Sequence, residues 1–135
     1  MFTALILMPV SLFATNVTFK IEGLRSNRGF VWVGIYDNEK TYLKEDGQIT
    51  DCEQQGKIAD GKVDVVCSLK PGVYGAAAYH DENGNKKFDT NFIGMPKEGY
   101  GFPNNIKARF SPPDYHEVLF TVGENDFALE VVFQY

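Results

Sequence analysis

The feature that most constrains this chain is a two-residue alternation of apolar and polar side chains, recurring in short runs from Val17 to the last residues. Successive side chains of a strand point to opposite faces, so alternation of this period marks half-buried β-strands. Val17, Phe19 and Ile21 alternate with Thr18, Lys20 and Glu22, and a turn follows at Gly23 and the Ser26–Gly29 cluster. Phe30 to Tyr36 is the second strand, with Val31, Val33 and Ile35 on one face and Trp32 and Tyr36 on the other, so the chain is expected to open as a hairpin. Asp37 to Gln48 is polar, with room for a short helical turn. Strands resume at Gln55–Ala59 and Lys62–Leu69 around Asp60-Gly61, the turn chemistry of a two-residue hairpin. Pro71-Gly72 leads into Val73–Tyr79, whose small residues predict a closely packed central strand. The chain closes with Glu117–Val122, a turn at 123–126, and Phe127–Phe133, where Phe127, Leu129, Val131 and Phe133 share a face.

About seven strands joined by short turns predict an all-β fold, an antiparallel immunoglobulin-like or transthyretin-like sandwich with one long ordered loop. A chain of 135 residues has room for a single domain. Aromatic side chains, with 11 Phe and 7 Tyr, and 13 Gly suit strands and turns better than helices. With 13 basic against 18 acidic residues the net charge is -5, which repels phosphate backbones, so nucleic acid is excluded as an expected partner.

Residues 1–14 carry no charged side chain and are too short to span a bilayer, which takes roughly 20 residues. They are read as a signal peptide, with 15–135 as the mature domain and a periplasmic or secreted location. The competing reading is a buried first strand, against which Pro9 argues. No transmembrane segment is expected in the mature chain. Cys52 and Cys67 are the only cysteines. An even count in an exported chain predicts a disulfide between them, the alternative being two free core thiols.

From His80 to His116 the periodicity disappears, and a long irregular stretch in a compact domain is usually functional or internally tied down. Its first part carries oxygen-bearing side chains at Asp81, Asn83, Asn85 and Asp89, relative positions 1, 3, 5 and 9 of a calcium-binding loop, with the Lys87 carbonyl expected at position 7. Calcium takes about six to eight oxygen ligands, and a tightly turning chain brings alternate residues to one centre. Position 12 is Phe92 instead of a bidentate Glu, so Glu98, Asn91, a carbonyl or water would complete the shell. The competing reading is an Asx-rich turn that needs no metal. His80 and His116 alone do not make a zinc site. Ser68 and Ser111 lack the setting of a catalytic nucleophile, so no enzyme is expected. Further on, Tyr100, Phe102, Asn104 and Asn105, with His80, form the candidate lining of a groove for a small ligand or glycan, the competing reading being that the rings anchor the loop.

The run from His80 to Asn105, followed by Phe110-Ser111-Pro112-Pro113 and the closing hairpin, resembles an exported bacterial family, domain of unknown function 2141. Leu24–Gly29 before Phe30–Tyr36 and Pro71-Gly72-Val73-Tyr74 before the loop are similar as well. Where the family pattern has Ser before the Asn pair, this chain has Pro103. The resemblance implies export from Gram-negative cells and a β-sandwich, and no established activity. The reading is therefore a non-enzymatic binding or accessory module of the cell envelope, its loop ordered by calcium, its partner an unidentified protein or glycan.

Overall fold

The computed structural model describes residue 4, residues 13–87 and residues 98–135. Apart from Ala4, Phe13 and Ala14, the expected signal segment lies outside the described residues, as does Asp89. Among the described residues eight strands follow one another: β1 (Thr15–Glu22), β2 (Phe30–Tyr36), β3 (Thr50–Ala59), β4 (Lys62–Leu69), β5 (Gly72–Asp81), β6 (Tyr100–Gly101), β7 (Leu119–Val122) and β8 (Phe127–Val132). Short 3-10 turns at Pro103–Asn105 and Tyr115–Val118 join the last of these. Among the described residues no helix is long and apolar enough to cross a membrane.

The strands form one sheet in the order β6-β5-β2-β3-β4-β1-β8, and β7 pairs with the first half of β5. Beyond β8 the backbone of Gln134 pairs with Tyr100 of β6, so the two ends of the sheet meet and the wall is barrel-like. The all-β expectation holds, but two of its details do not. The sheet is mixed, because β1 runs antiparallel to β4 and parallel to β8, with Phe19 opposite Leu129. The pairing therefore does not establish an immunoglobulin-like sandwich. Nor does the chain open or close on a hairpin: β1 and β2 pair with other strands, and β7 and β8 with β5 and β1 respectively. Local alternation gives each strand its face but carries no information on which distant strand will cover its edge.

The one expected hairpin that does form joins β3 to β4. Ala59 pairs with Lys62, and Asp60 and Gly61 both take positive φ, 53° and 71°, the geometry Asp-Gly favours. Inward side chains fill the barrel. Val17, Phe19, Ile21, Val33, Ile35 and Val65 are at most 1% exposed, and Phe19 meets Phe120 edge-on at 5.5 Å between ring centroids. Phe127 and Leu129 pack on this core, while Val131 and Phe133 are buried within it, as their shared face predicts. The β3–β4 register, Gln54 opposite Val65, places Cys52 opposite Cys67 when carried two residues back. Both face the core, with Cα atoms 5.5 Å apart, and they form the expected disulfide.

Candidate functional site

β5 ends in His80 and Asp81, and strand alternation sends their side chains opposite ways. His80 lies across from Val31 and Asp81 across from Phe30. The His80 ring is fully buried, with Nε2 2.6 Å from the Arg28 carbonyl oxygen and Nδ1 2.8 Å from the Tyr135 hydroxyl. A carbonyl only accepts, so Nε2 carries the proton and Nδ1 accepts from Tyr135. The same hydroxyl accepts the Arg25 backbone N–H at 3.1 Å, and the Arg25 guanidinium lies 4.6 Å above the Tyr135 ring. His80 thus ties the β1–β2 connection to the end of the chain, the local role a packed histidine has. His116 is far more open and lies 3.6 Å from Glu39, so the two histidines serve separate contacts.

Asp81 is fully buried on the other face, at the root of a tight turn. One carboxylate oxygen accepts the N–H of Asn85 at 3.1 Å and the other that of Lys86 at 2.7 Å. The Asn83 side-chain oxygen also accepts from the Asn85 N–H at 3.1 Å, and that of Asn85 accepts from the Lys87 N–H at 2.9 Å. Residues 81–87 therefore curl around their own oxygens, as a run of Asp and Asn at alternate positions permits. Glu98 returns to this corner, 5% exposed, and accepts the Glu82 N–H at 3.0 Å. Hydrogen bonds thus link Asp81, Asn83, Asn85 and the Lys87 N–H within the turn and bring Glu98 to the Glu82 N–H, and Asp89 falls outside the described residues. Hard oxygen donors with two buried carboxylates fit the chemistry of calcium and not that of zinc. Among the described residues no three His, Cys, Asp or Glu side chains converge at metal-binding distance.

The residue that secures this turn to the barrel is Glu82, which the sequence reading passed over. It accepts from Arg25 Nε at 2.7 Å, Ser26 Oγ at 2.9 Å and Arg28 Nη2 at 3.4 Å, all on the connection between β1 and β2. Burial works to raise its pKa, but the hydrogen bonds from Arg25 and Ser26 and the Arg25 charge outweigh it and hold the carboxyl below its ordinary value. Among the described residues no Lys or Arg side chain forms an ion pair with Asp81. Spacing along the chain gave no signal for Glu82, since its partners lie more than 50 residues away.

The candidate groove residues are used within the fold. Tyr100 pairs with Tyr79 across the sheet, and its hydroxyl accepts from the Gln134 side chain at 3.1 Å. Phe102 is buried, and the Asn104 amide donates to the carbonyls of Glu117 and Leu119 at 3.1 and 2.9 Å. Asn105 ends the 3-10 turn with φ of 53°. Tyr100, Tyr79, Trp32 and Glu53 stand opposite one another on β6, β5, β2 and β3, forming a row across four strands. Burial pushes the Tyr79 hydroxyl up to about 12, and the nearby charges of Asp81, Asp51 and Glu98 add to the rise.

A family model described as an uncharacterized protein conserved in bacteria, domain of unknown function 2141, matches residues 19–130. Neither the curated proteins nor the solved structures provide a match to the chain.

Proposed function

The chain belongs to the bacterial family of domain of unknown function 2141, and within it we propose an exported, non-enzymatic binding or accessory module of the cell envelope whose 80–105 loop is ordered by calcium. The observation that carries the calcium reading is the corner holding Asp81 and Glu98, two carboxylates at most 5% exposed on chain segments tied together through the Glu82 N–H. Buried carboxylates lose hydration, a cost that a divalent cation offsets. Asp81, Asn83, Asn85 and the Lys87 carbonyl are its ligands in this reading, joined by Asp89 and Glu98. Affinity falls in the modest range of roughly 0.1–1 mM common to extracellular modules.

Export is supported by the charge-free N-terminal run and by a disulfide that suits an oxidising compartment. A non-enzymatic role is the reading that fits side chains whose polar groups are already committed, His80 and Asn104 above all. Isothermal titration of the protein with calcium chloride tests the metal site. Saturable uptake at one site, weakened at least about tenfold in Asp81→Asn, is expected. The absence of saturable uptake at millimolar calcium would remove the cation from the account.

A further inference from the structure

On the outer face of the barrel β2 and β3 part company. They pair from Ile35–Thr50 as far as Trp32–Glu53, after which β3 turns to β4, and its register shifts between Gln55 and Ala59. The Gln54 side chain fills the gap in the hydrogen-bond ladder: its oxygen accepts the Val31 N–H at 2.8 Å, and its amide donates to the Gly56 carbonyl at 3.0 Å. Where the strands diverge there is a cleft of about 310 Å³, bordered by Phe30 and Trp32 on β2, Glu53 and Gly56 on β3, and Gly84 and Lys86 of the turn.

We propose that this cleft binds a neutral saccharide, stacked on the Phe30 ring and hydrogen-bonded by Glu53 and Lys86. Two observations point to that chemistry. The Phe30 ring is 51% exposed at the cleft, an apolar plate open to the C–H face of a sugar ring. Glu53 and Lys86 set one negative against one positive charge in the lining, so a ligand of no net charge is favoured. Hydroxyls both donate and accept, which matches a carboxylate and an ammonium together.

The geometry disfavours the other occupants. An added peptide strand needs free backbone groups at the split, and the Gln54 amide has taken the Val31 N–H and the Gly56 carbonyl. Phosphorylated ligands meet the net charge of -5. With roughly the smallest volume typical of small-molecule sites, the cleft takes about one or two sugar rings. This proposal does not rest on the calcium reading, although the same turn supplies Gly84 and Lys86.

Trp32 is the only tryptophan, so intrinsic fluorescence reports on the cleft directly. The full chain is titrated with cellobiose, maltose and diacetylchitobiose to about 20 mM, enough to fill a millimolar site. The titration is run once in chelator and once in calcium. We expect a saturable change with at least one sugar in both solutions, weakened about tenfold or more in Phe30→Ala and in Glu53→Gln and unaltered in Tyr100→Phe. Both cleft substitutions fall on exposed side chains and leave the fold intact, which the far-ultraviolet circular dichroism verifies. No saturable change with any of the three sugars overturns the proposal, and so does a response that survives both cleft substitutions. Sugar binding in chelator together with failed calcium uptake retains the cleft and discards only the cation.

Discussion

Tyr100 and Gln134 exchange both of their backbone hydrogen bonds, at 3.1 and 3.0 Å, and this pair joins the two ends of the sheet. The Gln134 side chain reinforces the closure, donating to the Ala108 carbonyl at 2.8 Å and accepting its N–H at 3.1 Å. Closing a sheet removes its exposed edges, and here the last residues of the chain complete the wall beside the candidate site.

Gln134→Ala leaves the partly buried backbone of Ala108 unpaired, at a cost of about 1–3 kcal/mol. Gln134→Pro also removes the N–H that Tyr100 accepts and is expected to cost more than the alanine variant. Urea unfolding checks both, and two midpoints equal to that of the parent would mean that the closure contributes no stability.

Gly29 is where the β1–β2 connection passes beneath the candidate site. Its φ is +73°, and a Cβ there would lie 2.0 Å from the Asp81 carbonyl oxygen. Gly29→Ala therefore combines a left-handed backbone penalty of about 1–2 kcal/mol with a backbone clash, and its total loss should exceed about 3 kcal/mol. A melting temperature within a degree or two of the parent would contradict the close approach of these two segments.

Glu82 makes stability depend on pH with a definite sign. Its folded pKa lies below the ordinary 4.5, so its contribution is complete above that value and is lost as pH falls through the lowered one. Glu82→Gln should lower the melting temperature most at neutral pH, and the gap to the parent should close as the solution is acidified below 4.5. Because Arg25 is half exposed, added salt should narrow the gap as well. A gap that does not vary between neutral and acid pH would place the effect in packing instead of charge.

The Cys52–Cys67 bond joins β3 to β4 inside the core. Opening it with reductant is expected to cost about 3 kcal/mol, the chain-entropy value for a loop of this size. Chemical denaturation with and without reductant measures the difference, and coincident curves would contradict the stabilising role of the bond.

Much of the fold was legible because its strands alternate. Val17, Phe19 and Ile21, or Phe127 through Phe133, declare their inward faces without reference to the rest of the chain, and Asp60-Gly61 declares its own turn. The first half of β3 was not legible, because within Thr50–Gln54 only Cys52 is buried and the run shows no apolar period. β6 is two residues long, below any periodic signal, and it exists because β5 and Gln134 lie on either side of it. The parallel pairing of β1 with β8 and the Glu82–Arg25 tie are products of the closed topology, which local pattern does not encode. The 81–87 turn was legible as chemistry, since alternate Asp and Asn side chains announce either a cation loop or a self-bonded turn. Its hydrogen bonds are those of the self-bonded turn, on which the proposed cation adds a further layer.

That layering alters what Asp81 substitutions should do. Removing one carboxylate oxygen in Asp81→Asn weakens the hold on the Asn85 or Lys86 N–H, so about 1–3 kcal/mol is expected to be lost even in chelator. A cation makes the loss larger in calcium than in chelator, and an equal loss in the two solutions argues for the turn alone.

Thermal unfolding of the full chain in chelator, then with about 10 mM magnesium, then with about 10 mM calcium, tests the cation site. With a dissociation constant of roughly 0.1–1 mM, about 10 mM calcium stands at about 10–100 times that constant and adds about 1.4–2.7 kcal/mol, which for a domain of this size is a rise of several degrees. The account predicts that rise in calcium and little or none in magnesium. Superimposable transitions in all three solutions would contradict it and leave 81–87 as a turn held by its own hydrogen bonds.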